Sequence, residues 1–321
     1  MKLAVLNPGG RDREQRFPAG AGVPDAHAHA PVNYHAYAAC TRGGFFRDVR
    51  AIPRDMDAVL LLLRSSLKPA LEALKALKAT GRPVAISWKE SGQHQVSEQL
   101  DSPSHLAMFR EICALADGAL SSTPDLVPLY RAAGAKAADF IPTPYPVDDP
   151  RWDFSRPLAE RAGIFIGTRE WHVPSRNHAA ALLRASALGV PVTVFNLAGR
   201  AGRKKLDALG CNSLRVIESE LPYPDYLREM GKCRVVFQLD ASAVPGQVAG
   251  DALLCRMPCI GGNGAVDRAA FDNAEDLRVL LDDDGAWRAS VDSSQARAHS
   301  SLSFAAGAER LQKFFGGLGG V

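Results

Sequence analysis

Short apolar segments of strand length alternate with longer helical segments along this chain of 321 residues. Ala58 to Leu63 is one such apolar run, and a helix is predicted after it from Leu67 to Thr80. Pro83 to Trp88 and Ser104 to Ala116 repeat the order, the second with apolar residues at helical spacing. Because alternating strands and helices form parallel sheets covered by helices on both faces, an α/β fold is predicted.

The length and the prolines both predict two domains. A chain this long exceeds the size at which one hydrophobic core usually continues to grow. Prolines at positions 142, 144, 146 and 150 cannot lie inside regular elements, so the linker is placed between about 142 and 160. We expect one domain over 1–150 and another over 151–321, with a C-terminal helix from about Ser300 to Phe315 packing back on the first.

The composition is typical of a globular protein, with 46% apolar residues, 23% charged residues and a net charge of +3. Nucleic acid is not an expected partner. The slight positive balance suits an anionic ligand such as a nucleotide diphosphate, or an anionic membrane surface. Since the longest apolar run, Ala58 to Leu63, has only the length of a strand, membrane contact is expected to be peripheral at most.

The six cysteines form no C-x-x-C pair and are interpreted as reduced core residues. The apolar stretch near the start, Leu3 to Pro8, is too short for the core of a signal peptide. A cytoplasmic protein is therefore expected. The region from 11 to 54 is rich in proline, glycine and histidine and is predicted to be irregular, which in a compact domain often indicates function.

The segment from Arg234 to Gly262 is predicted to contain a buried strand, a glycine-containing loop, a helix opened by Asp251, and a second short strand. Gly246, Gln247 and Val248 can present backbone amides to an anion beside the positive end of that helix. Asp251 is either a ligand contact or only the N-cap of the helix.

This order resembles the donor-sugar loop of nucleotide-sugar glycosyltransferases with two facing Rossmann-like domains, the GT-B architecture. The retaining mannosyl- and glucosyltransferase group (glycosyl transferases group 1) is the most similar. Further pieces in the same order extend the resemblance over most of the chain: Gly9-Gly10 after the first strand, Gly167-Thr-Arg169, the segments 116–148 and 192–218.

The resemblance implies a cleft that binds a nucleotide-diphosphate sugar mainly through the second domain. Gly10 would permit close approach, Gly167 would belong to the donor-binding strand end, Arg169 and Arg176 would hold the diphosphate, Glu218 would border the base, and Asp251 would meet sugar or ribose hydroxyls. Arginine suits phosphate because its planar fork stays protonated and can hold two oxygens. For Arg169 and Arg176 a solvated loop position remains the alternative.

The donor loop departs from the family at Ala243, where the family keeps the first of two carboxylates eight positions apart. Three outcomes stay open: another sugar is chosen, a residue such as Asp240 replaces the carboxylate, or catalysis is lost.

In the first domain, Glu90 and His94 follow the strand from Pro83 to Trp88 and are candidates to position an acceptor or take its proton. His27, His29 and His35 either line an acceptor pocket or serve packing and surface roles. His27 and His29 alternate on what is expected to be an extended segment, which would direct both imidazoles to one side. A closed metal site needs three or four ligands, so no metal is predicted.

The predicted function is therefore a glycosyltransferase that moves a sugar from a nucleotide-diphosphate donor to a glycan, lipid or small-molecule acceptor. Metal independence is expected because cations and helix dipoles would stabilise the leaving diphosphate, and no cofactor is expected. Retention of anomeric configuration is implied by the resemblance. The alternatives are a nucleotide-sugar epimerase and a non-catalytic nucleotide-sugar-binding protein.

Overall fold

The computed structural model describes residues 1–167, 171 and 173–318. Its strands, in chain order, are β1 (Leu3–Leu6), β2 (Gln15–Arg16), β3 (Gly44–Phe46), β4 (Ala58–Leu63), β5 (Val84–Trp88), β6 (Gly118–Ser121), β7 (Ala138–Phe140), β8 (Ile164–Ile166), β9 (Val192–Phe195), β10 (Leu214–Ile217), β11 (Val235–Phe237) and β12 (Cys259–Ile260).

The helices, in chain order, are α1 (Tyr34–Cys40), α2 (Lys68–Lys78), α3 (Gln93–Gln99), α4 (Pro103–Leu115), α5 (Val127–Ala132), α6 (His178–Ser186), α7 (Gly199–Ala208), α8 (Tyr223–Met230), α9 (Gln247–Leu254), α10 (Ala265–Ala270), α11 (Leu277–Asp282), α12 (Asp284–Ser301) and α13 (Phe304–Leu318). Within the described part of the chain, no helix is both long and apolar enough to span a membrane.

The chain divides into two compact units. Unit 1 comprises Met1–Val23, His29–Pro146 and the chain from Leu302 on, and unit 2 comprises Pro24–Ala28 and Val147–Ser301.

The sheet of unit 1 has the order β2-β3-β1-β4-β5-β6-β7 and is parallel except for the β2–β3 pair. Both faces of β4 are buried, which explains why this strand is an unbroken apolar run. Leu61 packs in the core that includes α2 and α4, whereas Leu60 packs in the core that includes α1 and α13. The alternation follows from the two-residue period of a strand.

Helix α13 belongs to the second of these cores. Leu311 and Phe315 are buried in it with Tyr37 of α1. A Cβ at Gly307 would lie 2.7 Å from Cβ of Pro144, so the glycine allows α13 to approach that proline closely.

The sheet of unit 2 has the order β10-β9-β8-β11-β12, and all of its strand pairs are parallel. Ile164 and Ile166 of β8 pack in a core with α6 and α7. Phe165, between them, has its ring centroid 6.0 Å from that of Tyr226 in α8 on the opposite face.

The α/β fold with parallel sheets and flanking helices, predicted from the alternation, is confirmed. Three local predictions were wrong or incomplete. Region 11–54 contains α1 and β3, and β3 pairs with β1. Helix α9 begins at Gln247, not at Asp251. Helix α12 was not predicted because its sequence is polar nearly all round, which removes the periodic signal.

Candidate functional site

Each sheet has one place where the chain connections leave in opposite directions. In unit 1 this switch point lies between β1 and β4, and in unit 2 it lies between β8 and β11. In open α/β sheets, ligands bind outside the carboxyl ends of the strands at such points. Both switch points in this chain carry residues that the sequence analysis selected.

In unit 2, the loop after β11 is fastened to the segment around Arg176. The backbone N–H of Ala241 donates to the carbonyl of Ser175 at 2.8 Å, and the hydroxyls of Ser175 and Ser242 are 2.8 Å apart. The guanidinium of Arg176 donates to Oδ2 of Asp240 at 2.5 Å. Arg176, predicted as a diphosphate ligand, is thus held at the switch point by a carboxylate of the loop after β11.

Helix α9 starts at this same loop. Its N-cap is Gly246 with φ +90°, a left-handed backbone conformation that residues other than glycine rarely adopt. The first turn, which includes Gln247 and Val248, therefore directs backbone N–H groups out of the helix start. Gly246, Gln247 and Val248 therefore lie at a helix N-terminus, an end that favours an anion, and their binding of a donor stays a prediction.

Asp251 lies in the second turn of α9, so its predicted N-cap role is wrong. Aspartate often caps a helix, and for this reason the start of α9 was predicted too late in the chain. The N-cap is Gly246, whose left-handed conformation begins the helix five residues earlier. The Asp251 side chain is buried, and its Oδ1 accepts a hydrogen bond of 2.5 Å from the hydroxyl of Tyr223 at the start of α8.

Gly167 follows β8 and contacts the first turn of α9. A Cβ at Gly167 would lie 2.5 Å from Cγ2 of Val248, so the missing side chain lets the helix approach the strand end. The structure thereby brings Gly167 and Val248 together. The other strand-end residue that was selected, Arg169, lies outside the described residues.

Asp267 is a residue of this region that the sequence analysis missed. It is buried on α10, and built Cβ atoms at Gly246 and Gly264 would lie 2.8 and 2.5 Å from its Oδ2. One at Gly262 would lie 2.7 Å from its Cγ. Burial, followed by the nearby charge of Asp240, raises the pKa of Asp267 to about 7. The available signal was an acidic residue three positions after Gly264, the helix N-cap.

Glu218 follows β10 at the carboxyl edge of the same sheet. Its carboxylate is exposed, forms an ion pair with Arg203 at 3.5 Å, and accepts a hydrogen bond of 3.4 Å from the amide of Asn196. Its predicted place beside a nucleobase stays a prediction.

In unit 1, the Gly9-Gly10 turn follows β1 as predicted, but Gly10 is tightly surrounded. A Cβ at Gly10 would lie 2.5 Å from Cγ of Asn7. The amide of Asn7, which is fully buried, donates to Oδ2 of Asp12 at 2.6 Å. The absence of a side chain at Gly10 therefore makes room for Asn7.

Four charged side chains meet at the switch point of unit 1, and we call them the charged quartet: Asp12, Arg64, Lys89 and Glu90. Arg64 directly follows β4, and Lys89 and Glu90 directly follow β5. Lys89 lies 3.1 Å from Asp12 and 3.7 Å from Glu90, while Arg64 lies 3.9 Å from Asp12 and 3.6 Å from Glu90. Glu90, predicted as an acid–base residue, thus belongs to an ion-pair network.

His94 is the second residue of α3, and it is partly buried. Its Nδ1 is buried and has no hydrogen-bond partner among the described residues.

The other three histidines that the sequence analysis selected, His27, His29 and His35, have different surroundings. His35 is buried and stacked between His29, at 3.6 Å between ring centroids, and Phe45, at 3.8 Å. Burial, followed by His29, lowers the pKa of His35 to about 3, and its Nε2 donates to the carbonyl of Arg13 at 2.9 Å. This placement favours packing over acceptor binding.

His27 is exposed in the unit 2 segment Pro24–Ala28, and its backbone N–H donates to Asp25. His29 belongs to unit 1 and lies in the histidine stack. The chain bends at residues 26–28, so this segment is not extended as the sequence analysis expected.

Among the described residues, no group of three or more His, Cys, Asp or Glu side chains is arranged to hold a metal ion. The six cysteines are free thiols. Burial raises the pKa of Cys113 to about 12 and that of Cys233 to about 11, so neither is a reactive thiolate at neutral pH.

Two Rossmann-like units with parallel sheets define the α/β class to which the chain belongs, and GT-B glycosyltransferases of known structure share this fold. A UDP-forming α,α-trehalose-phosphate synthase from Burkholderia xenovorans matches with a TM-score of 0.63 and 10% identity, over 100% of both chains. A sucrose-phosphate synthase from Thermosynechococcus elongatus matches with a TM-score of 0.58 and 12% identity, over 99% of both chains.

HepE from Anabaena, whose crystal structure contains UDP and glucose, matches with a TM-score of 0.54 and 15% identity, over 81% of this chain and 78% of HepE. No family model and no curated protein matches the sequence. The likeness to these structures concerns the fold.

Proposed function

We propose that the protein is a glycosyltransferase whose unit 2 binds a nucleotide-diphosphate sugar. The observation that carries the proposal is the start of α9 at the β8–β11 switch point, with Arg176 fastened to the same loop. Backbone N–H groups at a helix N-terminus and an arginine fork are both suited to a diphosphate. Further support comes from the shared fold with glycosyltransferases.

In the proposed reaction, the bond between the anomeric carbon and the diphosphate oxygen breaks, and a bond from an acceptor oxygen to that carbon forms. The acceptor proton passes to an oxygen of the nucleoside diphosphate, which departs with the bonding electron pair. The α9 amides and Arg176 would stabilise the charge that develops on the diphosphate, so the transfer is proposed to need no metal. Retention of configuration is proposed from the sequence resemblance.

Ala243 stands where the family keeps a carboxylate, and Asp240 in the same loop can replace it. Ala243 has φ +48°, and its backbone N–H donates to Asn263 at 3.0 Å. Asp240, in the same loop, is held by Arg176 and by the N–H of Ser242 at 2.7 Å. Of the three outcomes that the sequence left open, we therefore propose that Asp240 supplies the carboxylate of the donor loop.

A thermal-shift screen with UDP-, GDP-, ADP- and dTDP-sugars tests donor binding. One donor is expected to raise the melting temperature most, because a ligand that binds only the folded state stabilises it. The double variant Arg176→Met/Asp240→Asn, which removes both charges of the pair, is expected to lose this response. Arg215→Ala is the matched control, since Arg215 pairs with Glu229 on the surface of unit 2. An unchanged response in the double variant would count against the phosphate assignment.

Product analysis with the preferred donor separates transfer from the alternatives. A glycosylated acceptor, formed equally after EDTA treatment, is the expected result, and NMR of its anomeric proton reports retention or inversion. The second candidate, a non-catalytic binding protein, is favoured by Ala243 and predicts donor binding without transfer or hydrolysis. An epimerised donor without any acceptor would indicate an epimerase.

A further inference from the structure

The charged quartet occupies the switch point of unit 1. The donor chemistry that we propose for unit 2 assigns no role to these four residues. Its members come from the carboxyl ends of three neighbouring strands: Asp12 from the turn after β1, Arg64 after β4, and Lys89 with Glu90 after β5. The four side chains retain between 23 and 31% of their exposure, so a ligand can reach them. The position is where α/β sheets bind ligands.

The contacts inside the quartet leave hydrogen-bonding capacity for a ligand. Both ion pairs of Arg64, at 3.9 and 3.6 Å, are longer than hydrogen bonds. Lys89 lies within hydrogen-bonding distance of Asp12 but not of Glu90. The guanidinium of Arg64 and the carboxylate of Glu90 can therefore each form hydrogen bonds with a bound molecule without first breaking one inside the quartet.

A buried acceptor atom borders this cluster. Asn7 is fully buried, its amide nitrogen donates to Asp12, and its Oδ1 has no hydrogen-bond partner among the described residues. Because Asn7 is fully buried, a ligand does not reach this oxygen, and the role that the contacts support for Asn7 is to hold the carboxylate of Asp12 in place through its amide nitrogen.

The charges of the quartet select the ligand. Two cations and two carboxylates sum to zero, and each cation contacts both carboxylates. Burial alone would raise the pKa of Asp12, but Lys89 and Arg64 lower it below its usual value, so Asp12 is ionised at neutral pH. A phosphate entering here would meet Asp12 and Glu90 and would have to displace them from their cations. Hydroxyl groups, which both donate and accept, match such a mixture of charges.

We propose that the charged quartet, with Asp12 held in place by Asn7, recognises the acceptor and takes the hydroxyl face of an uncharged sugar rather than a phosphorylated sugar. This inference rests on the proposed glycosyltransferase function and specifies its acceptor. Asp12 and Glu90 accept hydrogen bonds from sugar hydroxyls, and Arg64 donates to them. The residues that would favour a phosphate instead are Arg11 and Arg13, which flank Asp12 in the chain and are exposed.

The test is saturation-transfer NMR on the full chain, with the donor nucleotide bound and with methyl α-glucoside, methyl α-mannoside and glucose 6-phosphate as probes. At least one methyl glycoside is expected to bind more tightly than the phosphate. Asp12→Asn is expected to weaken the binding of that methyl glycoside by about tenfold to a hundredfold, the usual effect of losing a hydrogen bond to a charged group. Asp55→Asn is the matched control, because Asp55 pairs with Lys2 on the surface of unit 1.

Two results would overturn the inference: tighter binding of glucose 6-phosphate that is lost in Arg11→Ser/Arg13→Ser, or no binding of either glycoside at millimolar concentration. Nucleotide binding by each variant is measured in the same samples. Retained nucleotide binding shows that the variant is folded and that only the acceptor assignment has failed. If the unmodified chain binds no nucleotide, the proposed function itself has failed.

Discussion

Arg176 and Asp240, which are 64 positions apart in the chain, form a hydrogen-bonded ion pair of 2.5 Å in unit 2. The Arg176 side chain retains 17% of its exposure and the Asp240 side chain 7%. The pair joins the segment before α6 to the loop before α9. Arg176, which we propose binds the diphosphate, is therefore positioned by Asp240, which we propose replaces the carboxylate missing at Ala243.

Asp240→Ala is expected to lower the free energy of unfolding by about 3 kcal/mol, because it leaves a mostly buried guanidinium without its carboxylate. Arg176→Met/Asp240→Asn is expected to recover much of the loss, since neither charge remains. Urea denaturation of both variants measures this. Equal stability of Asp240→Ala and the parent chain would mean that the pair does not hold the loop.

Gly167→Ala is expected to destabilise the protein by about 1–3 kcal/mol, because the added methyl group overlaps Val248 in the first turn of α9. Val248→Ala in the same chain should restore stability by making room. Gly316→Ala in α13 serves as the control, since a Cβ there meets nothing within 4 Å and alanine favours the helix. Thermal unfolding of the variants measures the effect, and loss of stability in Gly316→Ala alone would refute it.

Asp267 is expected to make stability depend on pH. Its folded-state pKa of about 7 lies above the usual pKa of 3.8 for aspartate, so the folded state binds more protons between these values. The contribution of Asp267 to stability is present below about pH 4 and is lost as pH rises to about 7, by at most about 1.4 kcal/mol per pH unit.

Asp267→Asn removes the titration, so the stability of this variant relative to the parent chain should rise from about pH 4 to about pH 7 and then level off. Denaturant unfolding at several pH values measures the difference. A difference independent of pH would show that Asp267 is ionised in the folded protein throughout this range.

His35 is expected to remain neutral in the folded protein at pH 5, because its pKa is lowered to about 3. Its ring should carry the proton on Nε2, which donates to the Arg13 carbonyl. The stability that this neutral ring contributes is present above about pH 6.5 and is lost as the pH falls toward about 3. Nitrogen-15 NMR of the imidazole checks both points, with exposed His27 as the control. A doubly protonated His35 at pH 5 would contradict the stacked, buried position.

Local sequence patterns predicted most of the strands, because a strand buried on both faces must be a short apolar run. Ala58–Leu63 and Val84–Trp88 illustrate this rule. Helix α9 was misplaced because aspartate signals a cap, whereas the actual start depends on the positive φ of Gly246. The β3 strand was missed because Gly44–Phe46 begins with a glycine inside a region rich in proline and glycine and gains its partner β1 only through the tertiary fold.

The candidate site shows the same division. The glycines and charged residues at strand ends could be selected from the sequence, since they follow apolar runs. The position of Asp267 after Gly264 could suggest a helix start but not its burial, which depends on Gly246 in one loop and on Gly262 and Gly264 in another. Nor could the sequence reveal that Glu90 belongs with Asp12 and Arg64, which lie far from it in the chain.

The sequence by itself determined that this protein is an α/β chain with parallel sheets, because that outcome depends on the local alternation of strand-length and helix-length segments. Only the tertiary structure decided which charges pair, which carboxyl group is buried, and where α9 begins. These features depend on the distance between residues remote in sequence and on the water excluded around them, and neither is encoded in any short stretch of the chain.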